Sequence, residues 1–342
     1  MTAPLRLLKL LGVVTLQAAI VVLLIEVVGR VSDPFGVSYY PETARYFDTL
    51  VLEEPIGYRN RPGLEDVFYG VPVKINAHGM RDREVGEKAA GEFRLLVLGD
   101  SVPFGIGVRY EDSFPHQIEG LLNERHANGG RFRTLNLGVP SYNTEQQLIQ
   151  FETLGLALAP DAVMLLFSAN DIEPKRWVLE KRSRWFVDLT QRSYAGSLLF
   201  VLWRSVRSAL VTSPISSAHA GHALPENTGV ALGEYRPDSP RWQAIARSLA
   251  SIHTQLKSRG IPFVLFTNDE YPHIIGMLED VARGQGFPIV NLRMQGDPRW
   301  TGQDARLFRN SVADGHPSPL GNRVLATLMV ESLERLKVFG NR

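Results

Sequence analysis

From Phe93 onward, short apolar runs alternate with longer amphipathic segments, which predicts an α/β protein built on a parallel sheet. The first of those runs passes directly into Gly99-Asp100-Ser101, so chemistry-bearing residues stand at a strand end. Ahead of both lies an almost uncharged N-terminal stretch, which predicts a separate apolar helix.

That stretch, LGVVTLQAAIVVLLI, carries no charge between Leu10 and Ile25. Extended from Leu5 to Val28 it admits only Arg6, Lys9 and Glu26, and at ~1.5 Å per residue it reaches across a hydrocarbon core of ~30 Å. Arg6 and Lys9 precede the run, which favours a cytoplasmic N-terminus. The residues that follow, Glu26-Val27-Val28-Gly29-Arg30, offer no small-residue cleavage site. The expectation is an uncleaved signal anchor over residues 1–30, with the bilayer met through residues 5–28 and the main domain extracytoplasmic (periplasmic). Gln17 and Glu26 are polar at or near membrane depth, where such groups find a partner helix or the headgroup level.

Residues 31–90 are rich in turn formers, including Asp33-Pro34, Glu54-Pro55 and Arg61-Pro62-Gly63. Alternating stretches such as Val67-Phe68-Tyr69 and Val71-Pro72-Val73-Lys74-Ile75 predict short strands or a hairpin in this connecting segment, with Pro72 restricted to an edge.

Residues 91–342 carry the repeated pattern. Strands are expected at Arg94–Gly99, Thr134–Gly138, Ala162–Ser168, Pro262–Thr267 and Pro288–Leu292, where runs such as VMLLF and FVLF suit a sheet covered on both faces. Helices are expected at Phe114–His126, Thr144–Leu158, Arg241–Arg259, Ile274–Gln285 and Pro319–Lys337. An insertion at about residues 172–240 interrupts the alternation. It contains a helix at Ser197–Arg204, which suits packing on the core, a lid or a membrane surface. It also contains a Ser/Ala/Gly/Pro-rich loop over residues 213–233 with His219 and His222.

Composition removes whole classes of function. Lys+Arg 37 against Asp+Glu 36 leaves a net charge of +1, with no basic excess for a phosphate backbone, so no nucleic-acid partner is expected. Zero cysteines exclude disulfides, thiolate metal sites and a cysteine nucleophile. Gly99–Gly107 lacks a lysine at P-loop spacing and the G-x-G-x-x-G pattern, so neither a phosphate cradle nor a dinucleotide site is expected.

In an open parallel sheet, ligands bind beyond the carboxyl ends of the strands. Ser101 projects from such an end, and three further segments converge there: Asn136-Leu137-Gly138, Ser168-Ala169-Asn170-Asp171, and Ala313-Asp314-Gly315-His316 before the last helix. Together they supply what acyl transfer needs. His316 can accept the proton of Ser101, and Asp314 can orient the imidazole. The N–H groups of Ser101 and Gly138 and the amide of Asn170 can donate to a tetrahedral oxyanion. Asp100 supports the turn, and Asp171 steadies the loop carrying Asn170. Tyr142, Asn143 and Ser168 stand close enough in sequence to line the substrate site.

These four blocks, in this order, resemble the SGNH/GDSL hydrolases, and the resemblance runs from Phe93 to the end. Upstream, Asn76-Ala77-His78-Gly79-Met80-Arg81 resembles a segment that precedes the GDS strand in membrane-anchored bacterial members. The resemblance implies a flavodoxin-like three-layer sandwich of about five parallel strands. It implies serine esterase or O-acyl (acetyl) transfer chemistry on an ester-bearing carbohydrate or lipid-like substrate, with no cofactor and no metal. It also implies Ser101 as nucleophile, His316 as base, Asp314 as its partner, and Gly138 with Asn170 as oxyanion donors. The sequence departs from the family at Ser168, where glycine is common, and at Ala313, where the acid usually stands. Those departures leave a second reading, a catalytically vestigial scaffold or interaction subunit with membrane protein partners.

Overall fold

The computed structural model describes residues 3–126, 131–175, 192–211, 232–269, 271–292, 297 and 299–340. The loop histidines His219 and His222 lie outside the described residues. The chain divides into two compact units, one comprising Met1–Asp48, Lys181–Leu224 and Ser311–Asp314, the other comprising Thr49–Glu180, Pro225–Asn310 and Gly315–Arg342.

In the first unit, helix α1 runs over Ala3–Ser32 and helix α2 over Tyr39–Phe47. Within α1, Leu8–Ser32 is long and apolar enough to cross a membrane, and its apolar side chains are exposed. The insertion contributes a helix over Tyr194–Val211, longer than its expected span, which packs on α1 and α2. It is the sixth of nine helices named here and is called α6.

The second unit opens with two antiparallel hairpins. Strands β1 (Val51–Glu53) and β2 (Gly57–Arg59) form the first, whose position the sequence did not signal because three residues carry no readable period. Strands β3 (Glu65–Phe68) and β4 (Val71–Lys74) form the second, with Pro72 opposite Val67 on a two-stranded ribbon that has only edges.

The main sheet has five parallel strands: β5 (Glu92–Leu98), β6 (Arg131–Asn136), β7 (Ala162–Phe167), β8 (Phe263–Thr267) and β9 (Ile289–Asn291). Their spatial order is β6-β5-β7-β8-β9. The connection leaving β5 goes to one side and the next returns to the other, so strand order reverses beside β5. Clefts in doubly wound sheets open at such a point.

Period-two alternation divides the strand residues between two cores. Leu96, Leu98, Val163, Leu165 and Leu265 face a layer containing Phe151, Trp242, Leu249 and Leu278. Leu95, Val97, Met164, Leu166 and Phe266 face a layer containing Phe114, Ile118, Leu325 and Met329. The helices supplying these layers are α4 (Phe114–Arg125), α5 (Thr144–Thr153), α7 (Pro240–Lys257), α8 (Pro272–Gln285) and α9 (Pro319–Arg335). Burial on both faces explains why these strands read as continuous apolar runs. Helix α5 ends five residues before its expected limit of Leu158, because Gly155–Leu158 tightens into a 3-10 turn ahead of Ala159 in the left-handed region and Pro160.

Candidate active site

Ser101 begins a one-turn helix, α3 (Ser101–Phe104), immediately beyond β5. Gly99 makes the turn with φ of 149°, and a Cβ there would meet Pro103 Cγ at 2.6 Å and the Leu166 carbonyl at 3.0 Å. Asp100 is buried and accepts from the Val102 N–H at 3.2 Å, so the aspartate caps the helix that presents the serine. The Ser101 N–H, at the first helical position, has no partner within its own helix, which suits it to a negative oxygen.

His316 reaches the same point from a different direction. Its carbonyl accepts from Asn310 N at 2.9 Å, and Arg309 bridges Pro317, closing a tight loop before α9. Asn310 Nδ2 donates to the Ile106 carbonyl at 2.9 Å, tying that loop to the turn after α3. Ser318 caps α9 by accepting from Gly321 N at 3.1 Å, and Asn322 donates to the Pro317 carbonyl at 2.8 Å. The result is His316 Nε2 at 2.8 Å from Ser101 Oγ, with the imidazole largely buried and the serine half-exposed.

The block after β7 lies beside this pair. Asn170 Nδ2 donates to Asp100 Oδ2 at 3.0 Å, and Ser168 Oγ donates to Asp100 Oδ1 at 3.3 Å. Asp100 therefore joins the Ser101 turn to the Asn170 turn, and Ser168 is part of that junction. An amide nitrogen carries two hydrogens, so Asn170 retains a second donor beyond the one given to Asp100. Asp171 is fully enclosed and accepts from Thr144 Oγ1 at 2.7 Å and Gln147 Nε2 at 3.1 Å, joining this loop to α5. Its burial, reinforced by the Asp100 charge, pushes its carboxyl well above the ordinary range against those two hydrogen bonds.

Three residues lie elsewhere than the sequence suggested. The Gly138 N–H donates to Asn136 Oδ1 at 2.9 Å and is not free for an oxyanion. Gly138 instead permits close approach, since a Cβ would meet the Pro103 carbonyl carbon at 2.8 Å. Tyr142 is 1% exposed, donates to the Tyr58 carbonyl and packs edge-on against the Tyr58 ring, so it belongs to a small core and not to a substrate wall. Asn143 is buried and forms a capping box with Gln146 at the start of α5, with Nδ2 on the Glu173 carbonyl at 2.8 Å. Asp314 is buried within the short segment Ser311–Asp314, where its N–H donates to Ser311 Oγ at 2.9 Å.

A brace beneath the site carries no chemical motif in the sequence. Arg81 is 1% exposed, and its guanidinium donates to the carbonyls of Phe104, Gly105, Val108 and Pro72 while lying 5.2 Å from the Phe104 ring centre. Its neighbour Asp82 accepts from Arg133 at 2.9 Å and from Asn136 N at 3.0 Å. The Asn76–Arg81 segment was the available signal, but nothing local marks it as a support for the Ser101 turn. Among the described residues no cluster of His, Asp or Glu could hold a metal ion.

Comparison with known proteins places this geometry in context. The GDSL-like lipase/acylhydrolase family model matches residues 97–324. A comparison with curated proteins finds no match. Among solved structures, an acetyl xylan esterase from Geobacillus stearothermophilus is 16% identical, covering 70% of this chain and 94% of that one at a TM-score of 0.41. A lipase/acylhydrolase from Enterococcus faecalis is 16% identical, covering 71% and 96% at a TM-score of 0.41. A two-domain esterase active on acetylated mannans is 15% identical, covering 72% and 50% at a TM-score of 0.44. The family model spans both the Ser101 and Asn170 turns and the His316 loop, and the chain belongs to the GDSL-like lipase/acylhydrolase family, whose general activity is hydrolysis of esters.

Proposed function

We propose that the protein is a membrane-anchored serine esterase or O-acyl transferase that removes or transfers a short acyl group, acetyl in the first instance, on a carbohydrate or lipid-like ester. The observation that carries this reading is the 2.8 Å approach of His316 Nε2 to Ser101 Oγ in a chain of this family. It favours an enzyme over a vestigial scaffold, for which no such pairing is required.

In the proposed reaction, Ser101 Oγ attacks the ester carbonyl carbon as its proton passes to His316 Nε2. Asp314, one residue removed from His316 in sequence, orients the ring and stabilises its cationic form. The Ser101 N–H and the second hydrogen of Asn170 Nδ2 donate to the oxyanion, with Asp100 holding the asparagine in place. His316 then returns the proton to the departing alkoxide, leaving an acyl-serine. Water resolves that intermediate in an esterase, and an acceptor hydroxyl resolves it in a transferase.

Helix α1 supports the anchor, since its Leu8–Ser32 stretch is apolar and exposed, with Arg6 ahead of it and Lys9 at its start. This orientation puts the N-terminus in the cytoplasm and the hydrolase domain outside it. The test is turnover of p-nitrophenyl acetate by the detergent-solubilised full chain and by Ser101→Ala. Turnover lost in the variant supports the proposal, and turnover unchanged refutes it.

A further inference from the structure

Helix α6 has a side that the hydrolase reading leaves unexplained. Leu199, Leu202 and Trp203 are 67%, 52% and 55% exposed. At i, i+3 and i+4 they share one face of the helix. Phe200 and Trp203 stack at 6.4 Å, and Phe200 meets the Tyr40 ring edge-on at 5.9 Å, adding an aromatic cluster beside that face.

The start of α6 is fastened to α1 at one level. Glu26 accepts from Tyr194 N at 3.1 Å, Ala195 N at 3.0 Å and Ser193 Oγ at 3.0 Å, capping α6 with a side chain from the other helix. Arg30 donates to Glu26 at 2.6 Å and to the Arg192 carbonyl at 3.0 Å. Gly29 lies against the Tyr194 ring, in a space that a Cβ would fill. From Leu8 to Ile25 the apolar part of α1 rises about 27 Å at ~1.5 Å per residue, close to a hydrocarbon core of ~30 Å. Glu26, Gly29 and Arg30 therefore mark the polar boundary, and α6 begins there.

Its course follows from α2. That helix lies beyond Ser32, past the apolar part of α1, and its Tyr40 touches Phe200. Helix α6 therefore runs from the level of Glu26, where it is capped, towards Tyr40 of α2.

We propose that α6 is an interfacial helix, its Leu199–Trp203 face lying in the headgroup and upper acyl region of a phospholipid bilayer, pinned to the membrane-spanning helix by Glu26. Exposed leucines and a tryptophan at this level are the composition that such helices use. The proposal rests on the reading of α1 as a membrane span, and its consequence is a second attachment that restricts how the first unit rotates about its anchor.

The absence of native cysteine allows a direct test with the full chain. Single variants Leu16→Cys, Leu199→Cys, Leu202→Cys and Trp203→Cys are labelled with an environment-sensitive fluorophore and reconstituted in phosphatidylcholine–phosphatidylglycerol vesicles. The lipids are brominated either near the glycerol end or near the methyl end of the acyl chains. All four positions are exposed; Trp203 also stacks on Phe200, so residues 199 and 202 report without removing that contact. The proposal predicts several-fold quenching at residues 199, 202 and 203 by the shallow bromines, stronger than by the deep ones, and quenching of residue 16. Adding Glu26→Ala to Leu199→Cys reduces its quenching while the Leu16→Cys signal in the same background persists. Quenching at residue 16 with none at 199, 202 and 203 overturns the interfacial helix and leaves the anchor standing. Stronger deep than shallow quenching on α6 overturns the interfacial placement. No quenching at residue 16 removes the anchor reading itself and the inference with it.

Discussion

His316 Nε2 and Ser101 Oγ meet at 2.8 Å although 215 positions separate them in the chain. The serine is held by the turn after β5 and the histidine by the loop before α9, and Asn310 fastens one to the other through the Ile106 carbonyl. In the proposed mechanism the two groups act in one proton transfer, so they lose their effect together. Ser101→Ala and His316→Ala are each expected to lower kcat for an acetyl ester by about 10⁴-fold or more, and the double variant to be no worse than either single one. Kinetics on the three variants check this, and additive losses would separate the two residues.

Gly138 offers a steric test of how the site is built. Gly138→Ala places a methyl group against Pro103, in the helix that carries Ser101. The expected outcome is a loss of about 2 kcal/mol in stability and, on the proposed mechanism, roughly 10²-fold in kcat, because Ser101 moves with its helix. Gly315→Ala is the control: its Cβ meets nothing within 4 Å, so thermal melting should be close to that of the parent.

Arg81 lies under the C-terminal end of that helix, on the Phe104 and Gly105 carbonyls. Arg81→Met is expected to cost about 3 kcal/mol by removing donors from several buried carbonyls. Arg81→Lys should recover little of it, since a single ammonium cannot serve the carbonyls that a planar guanidinium spans. Urea unfolding of both variants measures the loss. A lysine variant as stable as the parent would show that charge alone suffices.

Asp171 gives a pH prediction whose sign is fixed. Burial, with the Asp100 charge beside it, raises its folded-state affinity for a proton above that of the unfolded chain. The folded state then holds more protons than the unfolded state, so this residue's contribution to stability falls as pH rises above about 4. Asn at this position still accepts from Thr144 and Gln147 and has no charge to bury. Asp171→Asn should be more stable than the parent at pH 7, with the advantage vanishing toward pH 4. Melting temperatures across that range check it, and a constant difference would contradict it.

Much of the fold was legible because burial on both sheet faces writes itself as runs such as Val163-Met164-Leu165-Leu166 between amphipathic helices. Ser101 and Asn170 follow the ends of β5 and β7, and His316 precedes α9, positions from which the sequence motifs singled them out as candidates. The roles of Gly138, Tyr142 and Arg81 were not legible. Gly138 loses its N–H to Asn136, a choice made by local backbone geometry that spacing does not reveal. Tyr142 turns to Tyr58, and Arg81 turns to carbonyls more than twenty residues away, contacts that exist only after distant segments have packed. The Val51–Arg59 hairpin falls in the segment where short strands or a hairpin are expected, but its position is not readable because its strands are three residues each.

The central claim is that Ser101 is a nucleophile activated by His316. A fluorophosphonate probe reacts covalently with such a serine, and peptide mapping by mass spectrometry locates the adduct. The account predicts a single adduct on Ser101 in the native chain, with labelling of His316→Ala slower by about 10²-fold or more. An adduct on another residue, or a rate unchanged by loss of the imidazole, would contradict it.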